Sequence, residues 1–121
     1  MSSTHTRTLL LEGWEDVYKK SQLTLWILLA LKTGEKSMTD IKKFIEERTH
    51  GHIGADDKSM YRALRRFDEA DLITATTTPN TSGPDIKIWR LTDTGTWVLA
   101  TFIERNIQNL ILDPANNGLF R

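Results

Sequence analysis

The chain contains no cysteine and only three prolines in 121 residues, and its charges cancel, with 16 lysines and arginines against 16 aspartates and glutamates. Without cysteine it forms no disulfide, offers no thiolate to a metal and has no thiol nucleophile. Zero net charge excludes a chain-wide basic field for nucleic acid or membrane and excludes charge-driven disorder, but it leaves local patches open. Long apolar runs are also missing. The longest, Leu23 to Leu31, covers about nine residues where a membrane span needs about twenty. It lies too far inside the chain for a signal-peptide core and runs into Lys32-Thr33-Gly34 rather than a small-residue cleavage site. The expectation is a cytoplasmic protein with no membrane partner. Catalytic signatures are lacking too: no phosphate-binding glycine loop, no nucleophile elbow and no His/Asp pair at a recognisable spacing. His50 and His52 flank a glycine at a helix end without a third ligand, so no metal, no cofactor and no enzyme activity are expected.

What is present fits one domain, since domains commonly run to about 100–150 residues. Residues 1–7 are polar and read as a disordered tail. From Thr8 to Lys20, Leu10, Leu11, Trp14, Val17 and Tyr18 recur at helical spacing. Ser21 reads as the cap of a second helix, Gln22 to Lys32, whose apolar run covers nearly every face and places Trp26 in the core. Thr33 to Lys36 forms a turn, with Gly34 suited to a left-handed position. Ser37 or Thr39 caps a helix with Ile41, Phe44 and Ile45, and Asp56-Asp57 starts the next, which carries Met60, Ala63, Leu64 and Phe67 on one side. Leu72 to Thr78 favours strand, Pro79 to Asp85 is a turn, and Ile86 to Leu91 alternates with period two, so a hairpin is expected. Thr92 caps a last helix, Asp93 to about Leu112, which Pro114 stops. The order gives a mainly α fold with a small β-hairpin (α+β): a winged helix-turn-helix with additional N- and C-terminal dimerisation helices. Residues 8–95 form the N-terminal helix and the winged domain, and 96–121 the C-terminal dimerisation helix and tail.

Opposite the apolar side of the Asp57 helix, Lys58, Tyr61, Arg62, Arg65 and Glu69 share a face with Arg66 at its edge. Such a face suits the major groove: arginine bridges guanine or phosphate bidentately and tyrosine donates to phosphate. It also suits a merely solvated face held by Arg65–Glu69 and Arg62–Glu69 pairs. Lys87 and Arg90 in the hairpin fit phosphate contacts of a wing or the ordinary charges of a surface hairpin. Lys42 and Lys43 would lie near the same groove in this fold, and they suit a solvated face equally well. On this reading Lys58, Arg62, Lys87 and Lys42 hold phosphates of double-stranded DNA, while Arg65 with Ser59 or Tyr61 reaches base edges. The terminal helices carry a second signal. Leu10, Trp14, Tyr18, Phe102, Ile103, Ile107 and Leu110 make apolar bands that suit a homodimer, or else pack on one another within one chain. Trp14 and Trp97 either line a cavity between subunits for a small aromatic effector or pack without a ligand.

Leu25-Trp26-Ile27-Leu28-Leu29-Ala30-Leu31, Ser59-Met60-Tyr61-Arg62-Ala63-Leu64-Arg65-Arg66-Phe67, Asp71-Leu72-Ile73, and Gly83-Pro84 through Trp89-Arg90-Leu91-Thr92-Asp93-Thr94-Gly95 together resemble the PadR family of transcriptional regulators, over about Lys20 to Gly95. The most specific parts are Tyr-x-x-Leu-x-Arg running into Leu-Ile and the wing ending in Arg-Leu-Thr-x-x-Gly. The resemblance implies a homodimeric repressor that releases its operator on a small-molecule or other signal, with Tyr61 and Arg65 in the recognition helix and Lys87 in the wing. The single C-terminal helix is similar to that of the short members. Two departures stand out. The family's Gly-Tyr-acidic-Ile run is here Met38-Thr39-Asp40-Ile41, and its glycine before Leu-Ile is Asp71, which tolerates a left-handed backbone better than most residues. The acidic residues Asp56, Asp57, Asp68, Glu69 and Asp71 around the same helix support the alternative of a winged-helix protein-interaction module that binds no DNA.

Overall fold

The structure, a computed structural model, describes residues 3–121. Its elements are α1 (Thr4–Lys32), α2 (Met38–Arg48), α3 (Asp57–Glu69), β1 (Ile73–Thr78), β2 (Ile86–Leu91) and α4 (Asp93–Ile103). A π-helical continuation follows α4 at Glu104–Ile111, and then a 3-10 segment at Pro114–Phe120. This is the expected winged-helix order, with three corrections.

The two expected N-terminal helices are one. Ser21 does not cap a helix start; its hydroxyl donates to the Tyr18 carbonyl at 2.7 Å, a back-bond inside a continuous helix. No glycine or proline interrupts Lys19 to Lys32, so nothing forces a break there. The polar run marks instead where α1 leaves the core: Ile27, Leu28, Ala30 and Leu31 are buried, while Leu10, Trp14 and Val17 are exposed. The helix also begins at Thr4, capped by the Ser3 hydroxyl, inside the segment read as a tail; residues 1 and 2 of that tail lie outside the described residues. Second, the last helix changes pitch at Glu104 instead of running as one α-helix to Leu112. Third, Trp26 is only half-buried against the core, and the core tryptophan is Trp89, 5% exposed on β2.

Both helix ends around the helix-turn-helix are Schellman turns. At the end of α2, His50 (φ 54°) and Gly51 (φ 75°) are left-handed and the Gly51 N–H donates to the Glu46 carbonyl at 2.9 Å. Buried Thr49 then holds the loop, donating to the Ile45 carbonyl and accepting from the Ile53 N–H. At the end of α3, Asp71 (φ 62°) takes the left-handed position, Leu72 N–H donates to the Phe67 carbonyl at 2.9 Å, and the chain turns directly into β1.

β1 and β2 pair antiparallel from Ile73 opposite Leu91 to Thr78 opposite Ile86. The base of this wing is pinned twice. Lys36 exchanges both backbone hydrogen bonds with Trp89 (3.0 and 2.8 Å), so the turn after α1 adds a bridge to the β2 edge. Thr92 donates its N–H to the Leu72 carbonyl and its hydroxyl to the Asp71 carbonyl, and its oxygen caps α4 through the Gly95 N–H. The Leu-Thr-x-x-Gly stretch therefore locks three elements together at one point.

Candidate nucleic-acid interface

The capping carboxylate of Asp56 sets the start of α3: it accepts from the Ser59 N–H at 2.7 Å. That hydrogen bond, reinforced by the Ser59 hydroxyl and by Lys42 and Lys58 nearby, holds the Asp56 carboxyl below its ordinary range. From there the apolar period buries Met60, Ala63, Leu64 and Phe67, as expected, Ser59 is half-buried, and the remaining positions stand in solvent. At about 100° per residue the outer face divides into two flanks. Tyr61, Arg65 and Asp68 turn toward the wing, and Ser59, Arg62 and Arg66 turn toward α1.

Between α3 and the wing runs a cleft lined by Tyr61, Arg65, Asp68, Glu69, Lys87 and Trp89. The Lys87 ammonium lies 5.7 Å from the centre of the Trp89 ring, a cation–π contact that positions its long side chain. Arg65 Nε donates to Glu69 Oε1 at 3.3 Å, and both side chains are largely exposed. Such a pair holds by only about 0.3–0.5 kcal/mol, so a phosphate or a guanine edge can displace Glu69. The Arg62–Glu69 pair does not form among the described residues. Next to this cleft a second one reaches the start of α2, where Ser37 and Thr39 meet Tyr61, Lys87 and Trp89. Ser37 is the α2 cap, accepting from the Asp40 N–H.

The expected site residues are thus brought together in part. Tyr61, Arg65 and Lys87 share the wing-side cleft; Ser59 and Arg62 line the opposite flank beside α1; Lys58 is exposed near the start of α3. Lys42 is engaged within the fold, its ammonium 2.5 Å from Asp57 Oδ1, which ties α2 to the first turn of α3. The sequence marks Ser37 and Thr39 as alternative caps of α2, and no periodic signal in it places them beside the wing. Arg66, at the edge of the same face, lines the α1 flank with Lys19 and Lys20, two lysines that no periodic signal in the sequence connects with α3. Among the described residues, no group of three or more His, Asp or Glu side chains is placed to hold a metal, and no helix is long and apolar enough to cross a membrane.

Away from this surface, Leu10, Trp14, Tyr18, Phe102 and Leu110 are exposed, Ile107 is half-buried, and Ile103 packs partly against the core. Trp14 and Trp97 stand 74% and 65% exposed and line none of the clefts described here. A narrow apolar cleft between α1 and α4 is lined instead by Leu25, Leu28, Leu72, Val98, Leu99 and Phe102, with Ser21 and Thr24 at its edge.

The family model of the transcriptional regulator PadR-like family matches residues 27–101. No curated protein sequence matches the chain significantly. Among solved structures, Bacillus subtilis PadR in complex with operator DNA is 28% identical, over 69% of this chain and 48% of that one, with a TM-score of 0.63; this chain spans about half the length of that protein. A PadR-like transcriptional regulator from Bacillus cereus is 25% identical over 83% of this chain and 93% of its own, at TM-score 0.65. A PadR family regulator from Eggerthella lenta shares the fold over 96% of this chain and 97% of its own at TM-score 0.75, with 18% identity. Matched over more than half its length, the chain belongs to the PadR-like family of transcriptional regulators.

Proposed function

We propose that the chain is a cytoplasmic, homodimeric regulator that binds double-stranded DNA sequence-specifically and represses until a small-molecule or other signal releases it. One observation carries the reading: Tyr61 and Arg65 on the outer face of α3 and Lys87 on the wing converge on one cleft. A helix face with bidentate donors beside a cationic hairpin meets base edges and backbone at once. The complex of Bacillus subtilis PadR with operator DNA supports the reading, because that protein is similar to this one over 69% of this chain. Lys58 and Arg62 add phosphate contacts, and Lys42 contributes by exchanging Asp57 for a phosphate. Ser59, whose N–H and hydroxyl both serve the Asp56 cap, would contribute its hydroxyl from the α1 flank by exchanging that carboxylate for DNA. In this reading the exposed halves of α1 and α4 pair two chains, and Trp14 and Trp97 frame the place where a flat aromatic effector would enter.

The test is a titration of a duplex selected from a random pool, at several salt concentrations. Arg65→Ala should lower discrimination between selected and random duplex by about 1–3 kcal/mol. Lys87→Gln should weaken both alike and reduce the salt slope by about 1. Binding by both variants that matches wild type would refute the assignment. A wild-type chain that retains no duplex at low salt would favour the protein-interaction alternative, for which the two carboxylates in the cleft, Asp68 and Glu69, speak.

A further inference from the structure

The wing-side cleft has little charge to spare: Arg65 and Lys87 face Asp68 and Glu69 across it. The opposite flank of α3 differs. There α1 and α3 bound a trough with a volume of about 550 Å³, in which Lys19, Lys20, Arg62 and Arg66 face only Asp16 and Asp56. None of the four basic side chains is in an ion pair among the described residues. Asp56 is already committed to the Ser59 N–H as the α3 cap. In a chain whose net charge is zero, this trough concentrates uncompensated positive charge on the surface.

Duplex geometry gives that concentration a use. The major groove is about 12 Å wide and an α-helix with its side chains about 10–12 Å across. A helix seated in it therefore has a phosphate wall along each flank, one from each strand. The wing side supplies Lys87 and Tyr61 to one wall. The other wall needs cations on the α1 flank, and the trough has them. Lys20, Arg62 and Arg66 are exposed and Lys19 is half-buried, so the trough is an open channel suited to a polyanion passing along it, not an enclosed chamber for a small anion.

We propose that Lys19 and Lys20 of α1, with Arg62 and Arg66 of α3, clamp the phosphate backbone of the strand opposite the one held by the wing. The inference rests on the DNA-binding reading above and extends it to a helix otherwise concerned with the core and the dimer. It makes the mid-point of α1 part of the DNA-binding surface and divides the phosphate contacts between two flanks.

The experiment compares wild type, K19Q/K20Q, K19R/K20R and K87Q for binding to a random-sequence duplex and to a duplex selected by wild type, across a salt series. Lys20 is exposed, Lys19 is only half-buried, and glutamine is a good helix former, so the variants should fold; thermal unfolding checks this. K19Q/K20Q should bind both duplexes more weakly by the same factor, on the order of 10-fold or more near 0.1 M salt, with a log–log salt slope shallower by about 2. K19R/K20R should restore the slope, since only the charge is needed. Unchanged affinity and slope in K19Q/K20Q, with the expected loss in K87Q, would overturn the clamp and leave the DNA-binding reading standing. Absence of duplex binding by wild type would overturn both. Unchanged duplex binding together with loss of thermal stabilisation by inorganic pyrophosphate would make the trough a small-anion site and equally overturn the clamp.

Discussion

At Gly95 the first turn of α4 presses against the Leu72 backbone, and an added Cβ would lie 2.9 Å from the Leu72 carbonyl carbon and closer still to its oxygen. That oxygen already accepts the Thr92 N–H, so it cannot move aside. The glycine of the Arg-Leu-Thr-x-x-Gly motif is thus explained by close approach of backbone to backbone, because the φ of Gly95 is one any residue can adopt. Gly95→Ala should destabilise the fold by about 3 kcal/mol, read as a lower urea midpoint at unchanged m-value. The neighbouring Asp71 is the reverse case. It stands where φ is 62°, a left-handed position that costs most non-glycine residues about 1–2 kcal/mol, and its exposed side chain makes no hydrogen bond in the described structure. Asp71→Gly should therefore leave stability unchanged or raise it by up to about 1 kcal/mol in the same assay, since the carbonyl that accepts from Thr92 is backbone and survives the change.

The cap of α3 makes a prediction for a whole element. Asp56 titrates below its ordinary value of 3.8 because the Ser59 N–H stabilises the carboxylate in the fold and not in the unfolded chain. A depressed folded-state value means that this contribution is complete above that ordinary value and is lost as pH falls through the folded one. Asp56→Asn keeps an oxygen acceptor at the cap but cannot titrate. It should unfold less steeply than wild type as pH drops below about 4, while Asp56→Ala should be less stable than either at neutral pH; circular dichroism across a pH series reads both. Helix starts were legible in the sequence: Thr92 caps α4 as expected, Ser37 of the pair Ser37 and Thr39 caps α2, and of Asp56 and Asp57, expected at the start of α3 to complement its dipole, Asp56 is the cap. The hairpin was legible through alternation bounded by prolines and glycine. The undivided α1 was not, because Lys19-Lys20-Ser21-Gln22 looks the same whether a helix ends there or emerges from a core. Nor was the role of Trp89, which depends on Lys36 pairing across the β2 edge, a contact between distant parts of the chain that leaves no local pattern. The site residues divide on the same principle. Periodicity identified the outer face of α3, but which flank meets the wing and which meets α1 is set by how the helices pack.

At the scale of the whole molecule, the N-terminal half of α1 is the least explained by a single chain. Leu10, Trp14 and Val17 are 66%, 74% and 68% exposed on a helix that projects beyond its own core, and Trp97, Phe102 and Leu110 extend an apolar surface along the other terminal helix. Exposing so many large apolar side chains on one small domain opposes solubility, and burying each is worth about 1.5–3 kcal/mol. In the proposed homodimer a second copy of the chain would supply matching surface through a twofold axis, and two α3 helices could then address half-sites one helical turn apart. The double variant Leu10→Glu/Trp14→Glu should therefore sediment as a monomer at concentrations where wild type is a dimer, while the winged domain, whose core lies from Ile27 onward, stays folded by circular dichroism. Tryptophan emission gives an independent readout. In wild type, dilution through the dissociation range should shift emission to the red as Trp14 and Trp97 become wet, and a flat aromatic compound that enters between them should quench only the undissociated protein. Emission independent of concentration, together with a wild-type mass of one chain, would refute pairing through these helices and with it an effector site between them. If the trough beside α1 and the cleft beside the wing each add only a few phosphate contacts per chain, as proposed, the monomeric variant should also lose more DNA affinity than Lys87→Gln does. That loss would arise without any change to a group that touches DNA, which separates assembly from contact in the same titration.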